Sequence, residues 1–352
     1  MNTLRTLSLA ALLAVPPAVR AEEAPEPREE APKVVFSGLV DAYYTANLTQ
    51  SQEMVNPLRS YEGPTGFNLN WAKLAATMDA DPVGFRIDLG FGPESFDTTD
   101  TFVLQAYASA KLGPGVLDFG LFTTSAGVEL FESNLNWLYS RGLIYEFIAP
   151  TTHQGARYTV DMGEGLTLQA SLTNGWESPD AYEIDRPSRG ELSPYKTGSL
   201  SAFYAGDALS GAVNAYFGKQ PGADDLRVLL DGNVGFTAGA LETNLSAAYR
   251  VEGDDKRLGV NLSARYAVGE LYRVAGRFEL LDDATAAALG IPDGGSAWNL
   301  TAGVTRLLGR SAEMRVEARY DQVSEDYFFK TPSEAEIADG ALTATFAMLA
   351  WF

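Results

Sequence analysis

The sequence predicts an all-β fold, an antiparallel up-and-down transmembrane β-barrel of about 16 strands. Apolar and polar residues alternate over segments of about eight to twelve residues from position 34 to the end of the chain. Short turns alternate with longer, mostly acidic connections between these segments. Aromatic residues stand at the ends of several segments, where a membrane barrel carries its interface girdles.

The N-terminal residues are predicted to lie outside this barrel. Residues 1–21 combine the basic Arg5, an apolar run at 7–15 and small residues up to Ala21, a pattern typical of a secretion signal. The run is too short for a transmembrane helix, and the alternative, a soluble helix, would end at Pro16 and Pro17. Residues 22–33 are acidic and Pro-rich without apolar periodicity, which predicts a disordered linker.

The barrel is assigned to residues 34–352. Alternation alone fits a soluble sandwich as well as a membrane barrel, because both have one apolar and one polar face. The secretion signal, the large number of meandering strands and the aromatic strand ends together favour the membrane barrel. The clearest strands are GFRIDLGF at 84–91, LTLQASLTNGW at 166–176, RLGVNLSARYA at 257–267 and AEMRVEARYDQ at 312–322.

The connections fall into two sets that follow each other in turn. One tight rim and one rim of long loops are typical of an outer-membrane barrel, and an even number of strands places both termini at the tight rim. The short connections are at 79–84, 113–115, 162–165, 206–207, 267–270 and 309–310. The mostly longer ones are at 48–66, 93–100, 124–154, 177–196, 282–295 and 323–339.

The chain ends in ALTATFAMLAWF, which alternates as a strand and finishes on the aromatic Phe352. An aromatic end at this position suits the periplasmic edge of a membrane. The pattern also resembles the signal that outer-membrane barrels present to their assembly machinery. We therefore interpret Phe352 as an assembly signal and the barrel assembly machinery as a partner.

Several stretches resemble the putative β-barrel porin-2 family, also called OmpL-like. The resemblance implies an outer-membrane barrel with a pore function in a Gram-negative bacterium, but it implies no particular functional residues. The stretches that carry it are LQAYASA at 104–110, LDFGLFTTSAGVELFES at 117–133, NWLYSRGLIY at 136–145, PTTHQGARY at 150–158, SGLVDAYYTANL at 37–48 and LTNGWE at 172–177.

The connection at 124–154 is the first candidate site. It contains Glu129, Glu132 and Arg141 among several aromatic residues, a composition typical of an ordered segment. We expect it to fold into the lumen and narrow the pore. The alternative is an exterior loop that packs on the rim of the barrel.

Arginines on the polar faces of the late strands form the second candidate site. In a closed barrel of sixteen strands, these late strands would face the 124–154 connection across the lumen. Because a guanidinium keeps its charge at neutral pH, arginines on one side and carboxylates on the other would set a transverse field there. The alternative is that Glu279, Glu313, Glu317 and Asp321 pair with them locally as structural ion pairs. The set comprises Arg265, Arg273, Arg277, Arg315 and Arg319.

Composition excludes several classes of function. The absence of cysteine excludes disulfides, zinc–thiolate sites and thiol catalysis. A formal net charge of −20 argues against nucleic-acid binding, which requires a basic surface. The only histidine, His153, has no nucleophile motif near it, and no acidic cluster has EF-hand spacing. The sequence predicts neither an enzyme nor a metal or other cofactor.

The function that fits these observations is an outer-membrane porin for passive diffusion of small hydrophilic solutes and ions. A barrel of about sixteen strands is wide enough for an aqueous channel. The alternative is a non-conducting barrel with a structural or surface-interaction role. The expected surroundings are outer-membrane lipid and lipopolysaccharide, and the fold is compatible with a homo-oligomer.

Overall fold

The computed structural model describes residues 33–59, 62–92, 102–176, 195–219, 224–285, 288–291, 294–331 and 336–352. The predicted secretion signal at 1–21 and the predicted linker at 22–33, except Lys33, lie outside the described residues. All or part of the predicted connections at 48–66, 93–100, 177–196, 282–295 and 323–339 also lie outside them.

Sixteen strands of the described residues close into an antiparallel barrel in which each strand pairs with its neighbours in the chain. This confirms the predicted up-and-down topology and the predicted number of strands. The barrel strands are β1 (Val35–Asn47), β2 (Gly66–Met78), β3 (Val83–Phe91), β4 (Phe102–Leu112), β5 (Gly115–Thr123), β6 (Thr152–Gly163), β7 (Leu166–Thr173), β8 (Thr197–Ala205), β9 (Leu209–Lys219), β10 (Leu226–Ala238), β11 (Leu241–Glu252), β12 (Asp255–Val268), β13 (Tyr272–Asp283), β14 (Gly295–Leu307), β15 (Ala312–Val323) and β18 (Gly340–Trp351). Two short strands, β16 (Phe328–Phe329) and β17 (Ile337–Ala338), form a separate two-stranded sheet.

The two faces of the barrel wall differ as the alternation predicts. On β18, Thr343 and Thr345 are buried, whereas Phe346 and Met348 on the other face are about half exposed. Consecutive side chains of a strand point to opposite faces, and in a closed barrel these faces are the interior and the exterior. The wall is therefore apolar outside and rich in polar side chains inside, as in barrels that meet lipid.

The first and last barrel strands close the ring. Pairs between β1 and β18 run from Leu39 with Trp351 to Asn47 with Thr343. The ladder continues by one residue, because the Gly38 N–H donates to Phe352 O (3.2 Å) and the Phe352 N–H donates to Gly38 O (3.1 Å). The aromatic end of the chain thus belongs to the closing seam of the barrel.

Tight turns join the strands at the rim that carries the termini. Gly113 and Gly239, between β4 and β5 and between β10 and β11, both have φ of 60°. This left-handed conformation suits glycine, which has no Cβ to clash with the following carbonyl. Each of these turns needs only two residues between its strands, which agrees with the short set of connections.

The β5–β6 connection spans residues 124–151 and contains a 3-10 turn (Ser133–Leu135) and a short helix, α1 (Leu143–Phe147). The predicted end at 154 is wrong by three residues, because β6 already begins at Thr152. His153 therefore lies in a strand, where its ring is buried and stacks on Tyr216 with 5.5 Å between ring centroids. In the described part of the chain, no helix is long and apolar enough to cross a membrane.

Candidate functional site

Three of the five predicted arginines lie close together on the inner face of the wall. Arg315 and Arg319 are on β15, and Arg277 on β13 is in the same cross-strand row as Arg319, with Thr301 of β14 between them. All three are almost completely buried, at 3% exposure for Arg277, 5% for Arg315 and 1% for Arg319. Such burial of a guanidinium requires nearby counter-charge and hydrogen-bond acceptors.

Each of these arginines has a carboxylate two residues away on the same strand face. Residues i and i+2 of a strand share a face, so an acidic residue at this spacing meets the guanidinium without any special loop. The local ion pairs considered from the sequence are therefore present for three arginines, while Glu317 has a different role described below. The pairs are Arg277 with Glu279 (3.1 Å), Arg315 with Glu313 (2.6 Å) and Arg319 with Asp321 (2.7 Å).

The same arginines bind the backbone of the 124–151 segment. Their guanidinium groups donate to the carbonyls of three residues within positions 138–141, so each charge is shared between a carboxylate and main-chain oxygens. The bonds are Arg315 Nη1 to Leu138 O (3.1 Å), Arg277 Nη1 to Ser140 O (2.8 Å), Arg277 Nη2 to Arg141 O (3.2 Å) and Arg319 Nη1 to Arg141 O (2.5 Å).

Acidic residues of the wall accept hydrogen bonds from the same backbone. Glu317 Oε2 accepts from the Tyr139 N–H (2.6 Å), and its Oε1 accepts from the Ser140 N–H (3.1 Å). Glu279 Oε2 accepts from the Leu143 N–H (3.0 Å). Residues 138–143 are thus held by donors and acceptors of β13 and β15 together, which fixes the position of the main chain on the wall.

Two glycines allow the segment to approach the wall so closely. A Cβ on Gly142 would overlap the Glu279 carboxylate. A Cβ on Gly259 of β12 would lie 2.6 Å from Ile144 Cγ1 and 2.8 Å from Ile148 Cδ1, where α1 packs. A larger residue at either position would force the neighbouring side chain to move, so glycine permits the close approach that the structure shows.

Two ion pairs anchor the segment at separate places on the wall. Glu129 pairs with Arg277 of β13, and its Oε2 accepts from the Gly142 N–H (2.7 Å). Glu132 pairs with Lys73 of β2. Burial raises the pKa of Glu129, although the neighbouring Arg277 acts in the opposite direction. The sequence did not indicate Lys73, even though its alternation within β2 places it on the inner face.

Arg141 serves the segment itself. Its guanidinium donates to Tyr139 O (3.1 Å) and to Phe131 O, so it ties two parts of the segment together. Tyr139, in turn, donates from its hydroxyl to Asp41 Oδ1 of β1 (2.9 Å). Burial raises the pKa of Tyr139 well above its usual value, with the Asp41 charge adding to the effect.

The described part of the β1–β2 connection contacts Arg319 from another side, because Arg319 Nη2 donates to Leu58 O (3.3 Å). Arg59 pairs with Glu62 and donates to Thr343 and Thr345 of β18. Burial, reinforced by the nearby Arg319 charge, lowers the pKa of Arg59 to about 10. The sequence did not indicate a role for Arg59, because this residue lies in a connection without strand periodicity. Its role is evident only from its tertiary contacts.

The remaining predicted arginines lie elsewhere. Arg265 pairs with Glu242 (2.7 Å), and its guanidinium carbon lies 5.2 Å from the ring centroid of Trp137. Arg273 bonds to backbone carbonyls of the β12–β13 turn, including Tyr272 O (2.8 Å), at the tight rim. The structure therefore does not bring Arg273 to the cluster.

The predicted separation of charge across the lumen is also not what the structure displays. Glu129 touches Arg277 directly, and the other arginines each have a carboxylate at hand. A buried arginine without an adjacent carboxylate would have lost its hydration without compensation. Acidic and basic groups are consequently intermixed around the arginines of β13 and β15.

The inner faces of β7 to β11 carry mostly hydroxyl and amide groups. Asp231 is the charged exception near mid-strand, where its Oδ1 accepts from Asn214 Nδ2 (2.7 Å) and from the Gly127 N–H (3.0 Å). No group of three His, Cys, Asp or Glu side chains that fits a metal ion occurs among the described residues. His153 Nε2 lies 3.3 Å from the Thr124 hydroxyl. Among the described residues, no carboxylate is hydrogen-bonded to the His153 ring.

Residues 33–352 match a protein family described as putative β-barrel porin-2, OmpL-like. The chain belongs to this family. This porin-2 protein is thus a multi-pass β-barrel of the bacterial outer membrane, in agreement with the sequence-based expectation.

Solved structures of other outer-membrane proteins share the fold of this porin-2 protein. OmpT of Vibrio cholerae in its trimer form is 11% identical, with 92% of this chain and 100% of that chain covered and a TM-score of 0.63. OmpF of Salmonella typhi in complex with daunomycin is 12% identical, with 91% and 98% covered and a TM-score of 0.62. An anion-selective porin from Comamonas acidovorans is 13% identical, with 92% and 100% covered and a TM-score of 0.60. At these identities the likeness shows the fold alone, and no curated protein matches the sequence.

Proposed function

We propose that this porin-2 protein forms a water-filled channel for passive diffusion of small hydrophilic solutes and ions across the outer membrane. The observation that carries the proposal is a closed barrel of sixteen strands whose inner face is rich in polar side chains. Barrels of this size leave an aqueous channel, whereas barrels of about eight strands are filled by side chains.

We further propose that the 124–151 segment lies in the lumen and forms the constriction. Its bonds to inward-facing side chains of β13 and β15, together with the Glu132–Lys73 pair at β2, support this position. Glu129, Glu132 and Arg141 would then belong to the constriction together with Arg277, Arg315 and Arg319. Arg265 would border it beside Trp137, and Arg273 is left out of the proposal because it bonds to the turn at the rim.

The channel is proposed to work without enzymatic chemistry or a cofactor. Its proposed surroundings are outer-membrane lipid and lipopolysaccharide, and its proposed partner during insertion is the barrel assembly machinery, with Phe352 as the signal. The trimer form of Vibrio cholerae OmpT, which has the same fold, makes a homo-oligomer a reasonable proposal for this chain. The N-terminal secretion signal at 1–21 and the linker at 22–33 remain part of the proposal.

A specific observation favours the second candidate, a barrel without significant conductance. Arg277, Arg315 and Arg319 are almost completely buried where they bind the 124–151 segment, and Arg319 also contacts the β1–β2 connection. A lumen filled in this way on one side leaves less room for solutes. The non-conducting barrel would then serve a structural or surface-interaction role.

Planar-bilayer recording of the refolded protein separates the two candidates. Reproducible unit steps from heat-modifiable, folded protein support the channel, and their absence from such protein contradicts it. Glu129→Gln and Glu132→Gln should change the step size, because they weaken the anchors of the segment. Glu325→Gln is the matched control, since Glu325 is exposed in the β15–β16 connection and should leave the steps unchanged.

A further inference from the structure

A small cavity lies where the 124–151 segment meets β11, β12 and β13. Its volume is 150 Å³, and it is lined among others by Trp137 of the segment and by Asn244, Asn261 and Ser263 of the wall. One buried water requires only about 10–15 Å³ of such space. This cavity, which we call the Trp137 cavity, is therefore large enough for a small solute.

The neutral polar groups of the Trp137 cavity are amides and a hydroxyl. Asn244 and Ser263 are direct cross-strand neighbours, so their side chains emerge side by side. Asn244 Oδ1 is buried and has no hydrogen-bond partner among the described residues. Ser263 Oγ donates to Asn261 Oδ1 (3.1 Å) and keeps its lone pairs to accept another hydrogen bond.

The charges beside the cavity are already compensated. Glu129 and Arg277 both line it, and they form an ion pair with each other. Asn261 Nδ2 is likewise occupied by Glu279 Oε1 (2.8 Å). A monovalent ion in the cavity would be attracted by one member of this ion pair and repelled by the other. Its binding free energy would therefore be little better than that of a neutral solute.

Trp137 supplies an apolar surface next to these polar groups. The ring is partly exposed, so solvent reaches it. A tryptophan beside a few well-placed polar groups is the combination typical of small-molecule sites. A ring or chain that carries hydroxyl groups at its edge and C–H groups on its face matches both parts of this lining.

We propose that the Trp137 cavity is a binding subsite for a small, neutral, polyhydroxylated solute of monosaccharide size. The C–H face of the solute contacts Trp137, and its hydroxyl groups donate to Asn244 Oδ1 and Ser263 Oγ. The subsite lies beside the proposed constriction, so this inference rests on the proposed channel function and specifies its solute class.

The test uses glucose as the probe in two assays on the folded full barrel. In planar bilayers, glucose should reduce the potassium chloride current in a saturable way. In detergent, glucose should change the intrinsic tryptophan fluorescence saturably, and this readout does not require conduction. Glucuronate, which keeps the pyranose ring of glucose but carries a negative charge, should act at least about tenfold more weakly in both, a difference of about 1.4 kcal/mol.

Variants locate the effect at the cavity. Asn244→Leu and Trp137→Ala should each weaken the glucose effect at least about tenfold, whereas Trp137→Phe should retain most of it because an aromatic face remains. Asn233→Leu is the control, since Asn233 is a partly exposed residue of the neighbouring β10. Heat-modifiability verifies that each variant is folded, and Asn244→Leu keeps the test decisive where Trp137→Ala does not fold.

The outcomes separate the subsite from the channel. Unit steps without any saturable glucose effect in either assay overturn the subsite and leave the channel standing. A saturable fluorescence change without unit steps supports the subsite and contradicts conduction. Equal glucose effects in wild type and Asn244→Leu show that glucose binds elsewhere, which also overturns the inference.

Discussion

Gly259 offers a direct test of how the 124–151 segment packs. An alanine Cβ at this position would lie 2.6 Å from Ile144 Cγ1 and 2.8 Å from Ile148 Cδ1. Carbon atoms in contact prefer about 3.5–4.0 Å, so the side chains of Ile144 and Ile148, or α1 together with them, have to move by about 1 Å to admit the methyl group. Overpacking of this kind costs about 1–3 kcal/mol.

We therefore expect Gly259→Ala to lower the temperature at which the folded form converts to the unfolded form on gels, and to change the unit conductance. Gly276→Ala on β13 is the matched control, because its Cβ would be 3.7 Å from the nearest atom, Thr301 O, an ordinary contact. The control should behave as wild type in both measurements.

A double variant strengthens the test. Ile144→Ala removes the atom nearest to the new methyl group. Gly259→Ala should therefore lower the free energy of unfolding less in the Ile144→Ala background than in wild type, with a coupling free energy of about 0.5–3 kcal/mol. If Gly259→Ala matches Gly276→Ala in stability and conductance, the packing of α1 on β12 is refuted, and with it the position proposed for the segment.

Four further predictions concern the anchors, the pH response, selectivity and assembly. Glu132→Gln removes one ion pair of Lys73, whereas Lys73→Met also removes its pair with Asp88, so Lys73→Met should raise conductance at least as much as Glu132→Gln, and adding Glu132→Gln to Lys73→Met should change little. The raised pKa of Glu129 means that acidification neutralises it before exposed glutamates, weakening its attraction to Arg277 while Glu279 and Arg141 stay nearby. A raised folded-state pKa favours the fold at low pH, and that contribution is lost as pH rises. Acidification through the range in which Glu129 titrates should therefore raise the unfolding temperature while it changes the conductance, and Glu129→Gln should abolish both responses. Reversal potentials should shift towards cation preference in Arg277→Gln but stay unchanged in Arg273→Gln, which alters a residue at the rim. Deleting Phe352 removes two backbone hydrogen bonds to Gly38 and should lower the amount of heat-modifiable barrel in outer-membrane fractions, whereas normal amounts would contradict its role in assembly.

The strands were predictable because strand geometry is local. A period of two residues determines which side chains share a face, and the number of strands follows from the positions where that period is interrupted. The error at residues 152–154 arose where apolar and polar residues do not alternate cleanly. His153 is buried against Tyr216 of β9, a contact from a distant part of the chain that the local pattern does not contain.

The candidate site was predictable only in part. Arginines at inward positions of β13 and β15, and carboxylates two residues away from them, follow directly from the strand period. Which groups the 124–151 segment contacts depends on tertiary packing, so the partnership of Glu132 with Lys73 and the role of Arg59 had no signal in the sequence. The sequence shows Gly142 and Gly259 only as glycines, and it does not reveal the side chains that pack against them.

The intermixed charges explain why the net charge of −20 says little about permeation. Opposite charges in contact act on an ion several ångströms away as a dipole, whose field falls off faster than that of a single charge. Exposed acidic groups of the connections are screened within about 8–10 Å at physiological ionic strength. The groups that retain a field are inner-face carboxylates without an arginine beside them, such as Asp231, which accepts hydrogen bonds from Asn214 and from the Gly127 N–H. Selectivity in this barrel should therefore follow these few carboxylates, which favour cations modestly, and not the total charge of the chain.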